Sequence, residues 1–97
     1  SKETKIDLYN NRRDKLISEF RKINIQCINK YPSNSVIGFI HPKKNYSELE
    51  KFLLDRNIVI YSGVKDVENS FRVATMSVHF DEKFDYIINT FRDSCIY

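Results

Sequence analysis

Among the side chains able to do chemistry, Arg72 has the most distinctive setting. It opens a short apolar run between Phe71 and Val73, after an earlier run that stops at Tyr61-Ser62-Gly63. A guanidinium is planar and permanently charged, and its fork of donors matches the edge of a carboxylate or phosphonate. Carried on a strand, it would hold its position better than on a loop. The pattern admits a fixed anion clamp, against the plainer reading of a solvated or salt-bridged strand arginine. Tyr61, Ser62 and Gly63 are further candidates for contact with the same anion. Their plainer reading is the end of a strand, with glycine supplying an unusual φ.

The remaining reactive residues point less clearly to chemistry. His41 and His79 have no partner at metal-ligand or catalytic spacing. Cys27 and Cys95 lie far apart without a CxxC, and read as two reduced, buried thiols rather than as a disulfide or a metal site. Asp66 and Glu68 share a loop with Lys65, which reads as solvated, and Ser70 has no visible His/Asp partnership.

Composition narrows the class. The chain has 97 residues, 41% hydrophobic and 30% charged, which fits one soluble globular domain. Its longest apolar runs, such as Ile58 to Tyr61, are strand-length and too short to span a bilayer. The opening residues, with Lys2, Glu3 and Lys5, do not form a signal peptide, and a cytoplasmic location is expected. The net charge of +3 is spread among interleaved acids, so no dedicated nucleic-acid surface is expected. The chain starts without methionine, and its sole methionine is Met76. That suggests a processed product or an excised domain, with part of the chemistry elsewhere.

The elements that must position Arg72 follow from periodicity. Ile6, Tyr9, Leu16, Phe20 and Ile23 mark one face of a first helix, with Arg12, Arg13, Lys15 and Glu19 on its wet side and Asn24 at its end. A short β-prone stretch, 25–28, leads to a turn-rich patch around Pro32. Residues 35–41 read as a strand in which Gly38 suggests a bulge or a close backbone approach. A second helix, 45–57, carries a capping-box pattern at Ser47 and Glu50. Residues 58–61 read as a strand. A longer strand, 71–80, places Arg72, Ala74, Met76, Val78 and Phe80 on one face. Asp81 is expected to cap a last helix that buries Phe84, Ile87, Ile88, Phe91 and Cys95. The fold class expected is α+β, with three helices on one face of a mostly antiparallel four-stranded sheet. The second helix would make a crossover between strands, as in ferredoxin-like folds.

The stretch from Asn57 to Met76 adds a family likeness. "NIVIYSGVK" followed by "SFRVATM" resembles the C-terminal small domain of class V (fold type I) pyridoxal-phosphate aminotransferases, most like the 2-aminoethylphosphonate–pyruvate transaminases. Members commonly show a strand ending Tyr-Pro-Gly-Lys, then a Phe-Arg-Ile-Gly strand and a closing helix. Here Ser62 replaces the proline, Val64 precedes Lys65, and Ala74 and Ser77 stand where glycines are common. The resemblance implies that Arg72 grips the substrate's carboxylate or phosphonate in amino transfer from 2-aminoethylphosphonate to pyruvate. It also implies that pyridoxal 5'-phosphate and the catalytic lysine belong to a large domain of the same polypeptide, that the full-length enzyme is a homodimer, and that the 97-residue chain alone is inactive. No catalytic, cofactor-binding or metal residue is assigned within this chain.

Two readings of other classes compete. A ferredoxin-like ligand-sensing or protein-interaction domain would need no clamp. An RNA-binding module would need a basic residue before Gly-Phe-Gly-Phe-Val and an aromatic, and neither "SVIGFIHP" nor "FRVATMSVHF" supplies that pattern.

Overall fold

The computed structural model describes residues 4–28 and 35–97; the turn expected around Pro32 lies outside them. The elements are α1 (Lys5–Arg21), β1 (Gln26–Cys27), β2 (Val36–Ile40), α2 (Tyr46–Leu54), β3 (Tyr61–Ser62), β4 (Ser70–Ala74) and α3 (Phe84–Ser94). The strands form one sheet in the order β1-β2-β4-β3, and every neighbouring pair is antiparallel. Since β2 and β3 both run against β4, they run parallel to each other, and α2 is the crossover between them. The expected α+β class and crossover are both present.

Alternation along β2 and β4 sets the layers. Ile37 pairs with Val73 and Phe39 with Phe71, and all four point into the core. There they meet Leu16 and Phe20 of α1, Leu49 and Leu53 of α2, and Ile88 and Phe91 of α3. Phe20 packs edge-on to Phe39 at 4.8 Å, and Phe71 stacks on Phe91 at 5.5 Å, so one aromatic cluster joins the sheet to two helices. The alternate residues, including Arg72 and Ile40, face away from the core. Gly38 sits opposite Arg72 in a ladder that runs from Val36 to Ile40 without a break, so of its two expected roles the bulge is absent.

The first two helices end by the same device. Asn24 and Asn57 adopt left-handed φ values of 65° and 64°. In each case the next N–H reaches back five residues, Ile25 to Phe20 O and Ile58 to Leu53 O, closing a Schellman turn. The isoleucine after each turn drops into the core. Asparagine tolerates this backbone better than most side chains do. The helix starts are capping boxes, Thr4 with Asp7 and Asn45 with Glu48. The box expected at Ser47 and Glu50 is therefore displaced by two residues, and Glu50 accepts a hydrogen bond from Tyr46 Oη instead.

The expected strand 71–80 stops at Ala74, and Arg12 supplies the physical reason. Arg12 was placed on the wet side of α1 but is buried. Its Nη1 donates to Thr75 O (2.6 Å) and Ser77 O (3.1 Å), while Nε and Nη2 form a bidentate pair with Asp81 (3.2 and 3.1 Å). These bonds draw residues 75–81 away from the sheet and into a turn over α1. Asp81, spent on Arg12, does not cap α3; that helix begins at Phe84 with no side-chain cap bond. Met76 and Val78 are left exposed, while Phe80 returns to the core. With β4 diverted, β3 shrinks to Tyr61–Ser62, and residues 58–60 lie outside the ladder.

Candidate anion site on the helix-free face

β4 is a central strand, flanked by β2 and β3, so the Cα of Arg72 is held on both sides, opposite Gly38 and opposite Tyr61. Its side chain is exposed on the face without helices. Nε donates to Ser62 O at 2.7 Å, which fixes the plane of the guanidinium against the turn after β3. Arg72 takes part in no ion pair among the described residues, so its two terminal nitrogens keep their donors for an outside anion. Such a fork suits a carboxylate or phosphonate edge. Tyr61 stands beside it across the strand pair, half-exposed. Tyr61, Ser62 and Arg72 are thus brought together, with Ser62 contributing its carbonyl rather than its hydroxyl.

Gly63 acts by its lack of a side chain. No glycine has a positive φ, so the unusual backbone expected of it is absent. An added Cβ would collide with Ser70 Oγ and with the Ser70–Phe71 peptide. Ser70 is buried, and its hydroxyl accepts from Val64 N–H (2.7 Å) and donates to Val67 O (2.7 Å), knitting the loop that follows β3. Gly63→Ala should cost about 2–3 kcal/mol, an overpacking effect, because backbone atoms cannot step aside. Urea unfolding checks this; a loss below about 0.5 kcal/mol, the usual span of surface substitutions, would mean that the loop yields freely.

A second polar cluster joins the end of β2 to the end of α3. His41 is fully buried. Its Nδ1 accepts from Lys43 N–H (3.0 Å) and Lys44 N–H (2.8 Å), which places the ring proton on Nε2, 2.9 Å from Ser94 Oγ. Cys95 Sγ lies 3.6 Å from the same Nε2. Lys44 Nζ donates to Ser94 O, and Lys43 Nζ to Ile96 O. Burial lowers the His41 pKa to about 4, with Lys44 adding to the effect and Glu48 opposing it. Burial also lowers the Lys44 pKa and raises that of Cys95. The cluster ties down the C-terminus of α3. Its centre, His41 with Ser94, is buried, while Lys43 and Cys95 lie at its partly exposed rim.

His41 therefore gives the fold a pH dependence. Its folded pKa lies below the unfolded value near 6.5, so its contribution is intact above pH 6.5 and declines as pH falls toward 4. Over that window the loss should approach about 3 kcal/mol. Unfolding free energies of the native chain and of His41→Gln at pH 7.5 and 4.5 would isolate it, since carboxylates act in both. Equal pH slopes in the two proteins would exclude the effect.

No family model matches the sequence, and no curated protein does. Several solved structures share the fold. An aspartate aminotransferase of subgroup IV from Thermus thermophilus superposes with a TM-score of 0.74 at 18% identity, over 90% of this chain and 26% of that one. A NifS-like protein superposes with a TM-score of 0.79 at 14% identity, over 92% of this chain and 27% of that one. This chain has the architecture of a unit that makes up about a quarter of each. The likeness is one of fold.

Cys27 and Cys95 form no disulfide with each other, and both are half-buried. No group of three His, Cys, Asp or Glu residues among the described ones could hold a metal. No helix among them is long and apolar enough to cross a membrane. His79 pairs with Glu82 at the surface. The side-chain partners of Arg12 and the Ser94 hydroxyl beside His41 lie 53 to 69 residues away in the chain, beyond the reach of periodicity. Arg12 sits among polar neighbours on α1 and carries no local signal of its burial, whereas His41 directly follows the apolar run of β2.

Proposed function

We propose that this chain is the C-terminal small domain of a pyridoxal-phosphate-dependent aminotransferase and that it supplies the anion clamp for the amino-group donor or acceptor. The observation that carries this is Arg72: a guanidinium on a central strand, tethered through Nε to Ser62 O, with its outer donors uncommitted on the helix-free face. The structural neighbours described above support the reading, one being an aspartate aminotransferase. The anion would be the carboxylate or phosphonate of a small amino compound, with 2-aminoethylphosphonate and pyruvate as the pair suggested by the sequence "YSGVK…SFRVATM". The full-length protein would be a cytoplasmic homodimer.

The residues of this chain do not fit the cofactor itself. Pyridoxal phosphate needs a phosphate cradle and a lysine facing an open cleft. The chain has only two glycines, Gly38 and Gly63, both within the sheet region. Its buried lysine, Lys44, is engaged by the Ser94 carbonyl. Cofactor chemistry would therefore belong to a large domain of the same polypeptide. What these residues do is bind and orient: a clamp that fixes one end of a small substrate aligns the reacting end, and alignment lowers the barrier.

The domain assignment is tested by adding pyridoxal phosphate to the 97-residue chain and reducing with borohydride. Scattered, substoichiometric labelling is expected. One lysine trapped stoichiometrically would place the cofactor site here and overturn the assignment.

A further inference from the structure

Where β3 and β4 part, a groove of about 700 Å³ opens between residues 56–61, residues 73–80 and α3. That volume lies within the range of small-molecule sites. Val59 and Tyr61 form one lip and Met76 the other; Phe91 and Ile87 of α3 close the floor. Val59, Tyr61, Met76 and Tyr86 are each about half-exposed, so a sizeable apolar surface is left uncovered by the described residues. The charges of the lining are all of one sign. Arg56 and Lys83 contribute two cations, His79 is turned to Glu82, and no Asp or Glu among the described residues lines the groove. Arg56 is held over the Phe52 ring and donates to Phe52 O, whereas Lys83 takes part in no ion pair among the described residues. Arg72 is not part of the lining, although Tyr61, its cross-strand neighbour, is.

We infer that this groove is a second ligand site, taking a small amphipathic anion whose aromatic or aliphatic body lies between Val59, Met76 and Phe91 and whose carboxylate meets Lys83. An apolar body removes the exposed lip residues from water, and Met76 can adapt to its shape. The carboxylate gives Lys83 the counter-charge it lacks. A cation in the same place would face Arg56 and Lys83 with no acid to offset them.

The test uses 4-phenylbutyrate and its amine counterpart, 4-phenylbutylamine, as probes of the 97-residue chain. Amide chemical shifts and sedimentation would be followed together. Phenylbutyrate should bind one to one, roughly at millimolar strength or tighter for a ligand of this size, with shifts at Val59, Met76, Lys83 and Tyr86. The amine should bind at least tenfold more weakly. Lys83→Glu, an exposed change that spares the core, should weaken the carboxylate tenfold or more, while Arg72→Ala should leave it unchanged. Equal binding of the amine would overturn the inference. So would indifference to Lys83→Glu, loss in Arg72→Ala, or a self-associated chain whose groove takes no probe. The Arg72 comparison keeps this outcome separate from that of the aminotransferase reading.

Discussion

If Arg72 is the clamp of the proposed aminotransferase, its replacement by alanine in the full-length protein is expected to lower kcat/KM for the anionic substrate about 100- to 1000-fold, while cofactor absorbance stays unchanged. Truncating one partner of a desolvated, hydrogen-bonded charge pair costs about 2–5 kcal/mol, and tenfold in rate corresponds to roughly 1.4 kcal/mol. The loss should be realised in kcat/KM because the clamp acts on substrate and transition state alike. Arg72→Lys should recover only part of it, since an ammonium keeps the charge but not the fork. In the isolated chain both variants should unfold within about 0.5 kcal/mol of the parent, as exposed positions do. That control separates a clamp from a structural arginine. A kcat/KM within twofold of the parent would rule out the clamp, and a stability loss above about 2 kcal/mol, as for a buried polar network, would assign Arg72 to the fold instead.

The strand that carries Arg72 was legible in the sequence because an apolar run of that length reports its own geometry. Alternation grouped Arg72 with Ala74, Met76, Val78 and Phe80 without saying which face meets the core; packing decides that, with Phe71 and Val73 turned inward and Arg72 outward. The helix ends at Asn24 and Asn57 were equally local: each is an asparagine followed by an isoleucine, and the turn forms within six residues. Other features depended on contacts that periodicity cannot express. Arg12 fits the polar face of α1 by spacing alone. It is buried because residues 75–81 fold over it, and that turn exists in part because Arg12 draws the carbonyls toward it. The same closure ended β4 early, shortened β3, took Asp81 from its expected cap and opened the groove. One unforeseen long-range contact thus accounts for several differences between the expected and observed elements. His41 belongs to the same class, its tautomer being fixed by Lys43 and Lys44 next to it but its burial by Ser94 on a distant helix.

The Arg12 cluster therefore carries the second large effect. Arg12→Met keeps most of the aliphatic packing against Phe80, over whose ring the guanidinium lies at 5.4 Å, and removes the donors. Asp81 is 61% exposed and can return to water. The Thr75 carbonyl lies in a buried residue and loses a 2.6 Å charged donor. The cost should be about 2–4 kcal/mol, from the lost charge-assisted bonds to Thr75 O, Ser77 O and Asp81. That is a large share of the ~5–15 kcal/mol that holds a domain together. Asp81→Asn should cost about 1–2 kcal/mol, because Arg12 loses its counter-charge but keeps both carbonyls. A double-mutant cycle should then give a coupling of at least about 1 kcal/mol. Because residues 75–81 also form one lip of the groove, Arg12→Met should weaken phenylbutyrate binding under conditions where the variant is still folded, whereas Gly63→Ala, on the far side of β3, should not. Urea unfolding of the four proteins measures the cycle. Additive losses would mean that Arg12 and Asp81 stabilise the turn independently, and a loss below about 0.5 kcal/mol for Arg12→Met, no more than a surface change, would mean that the turn is held by Phe80 alone.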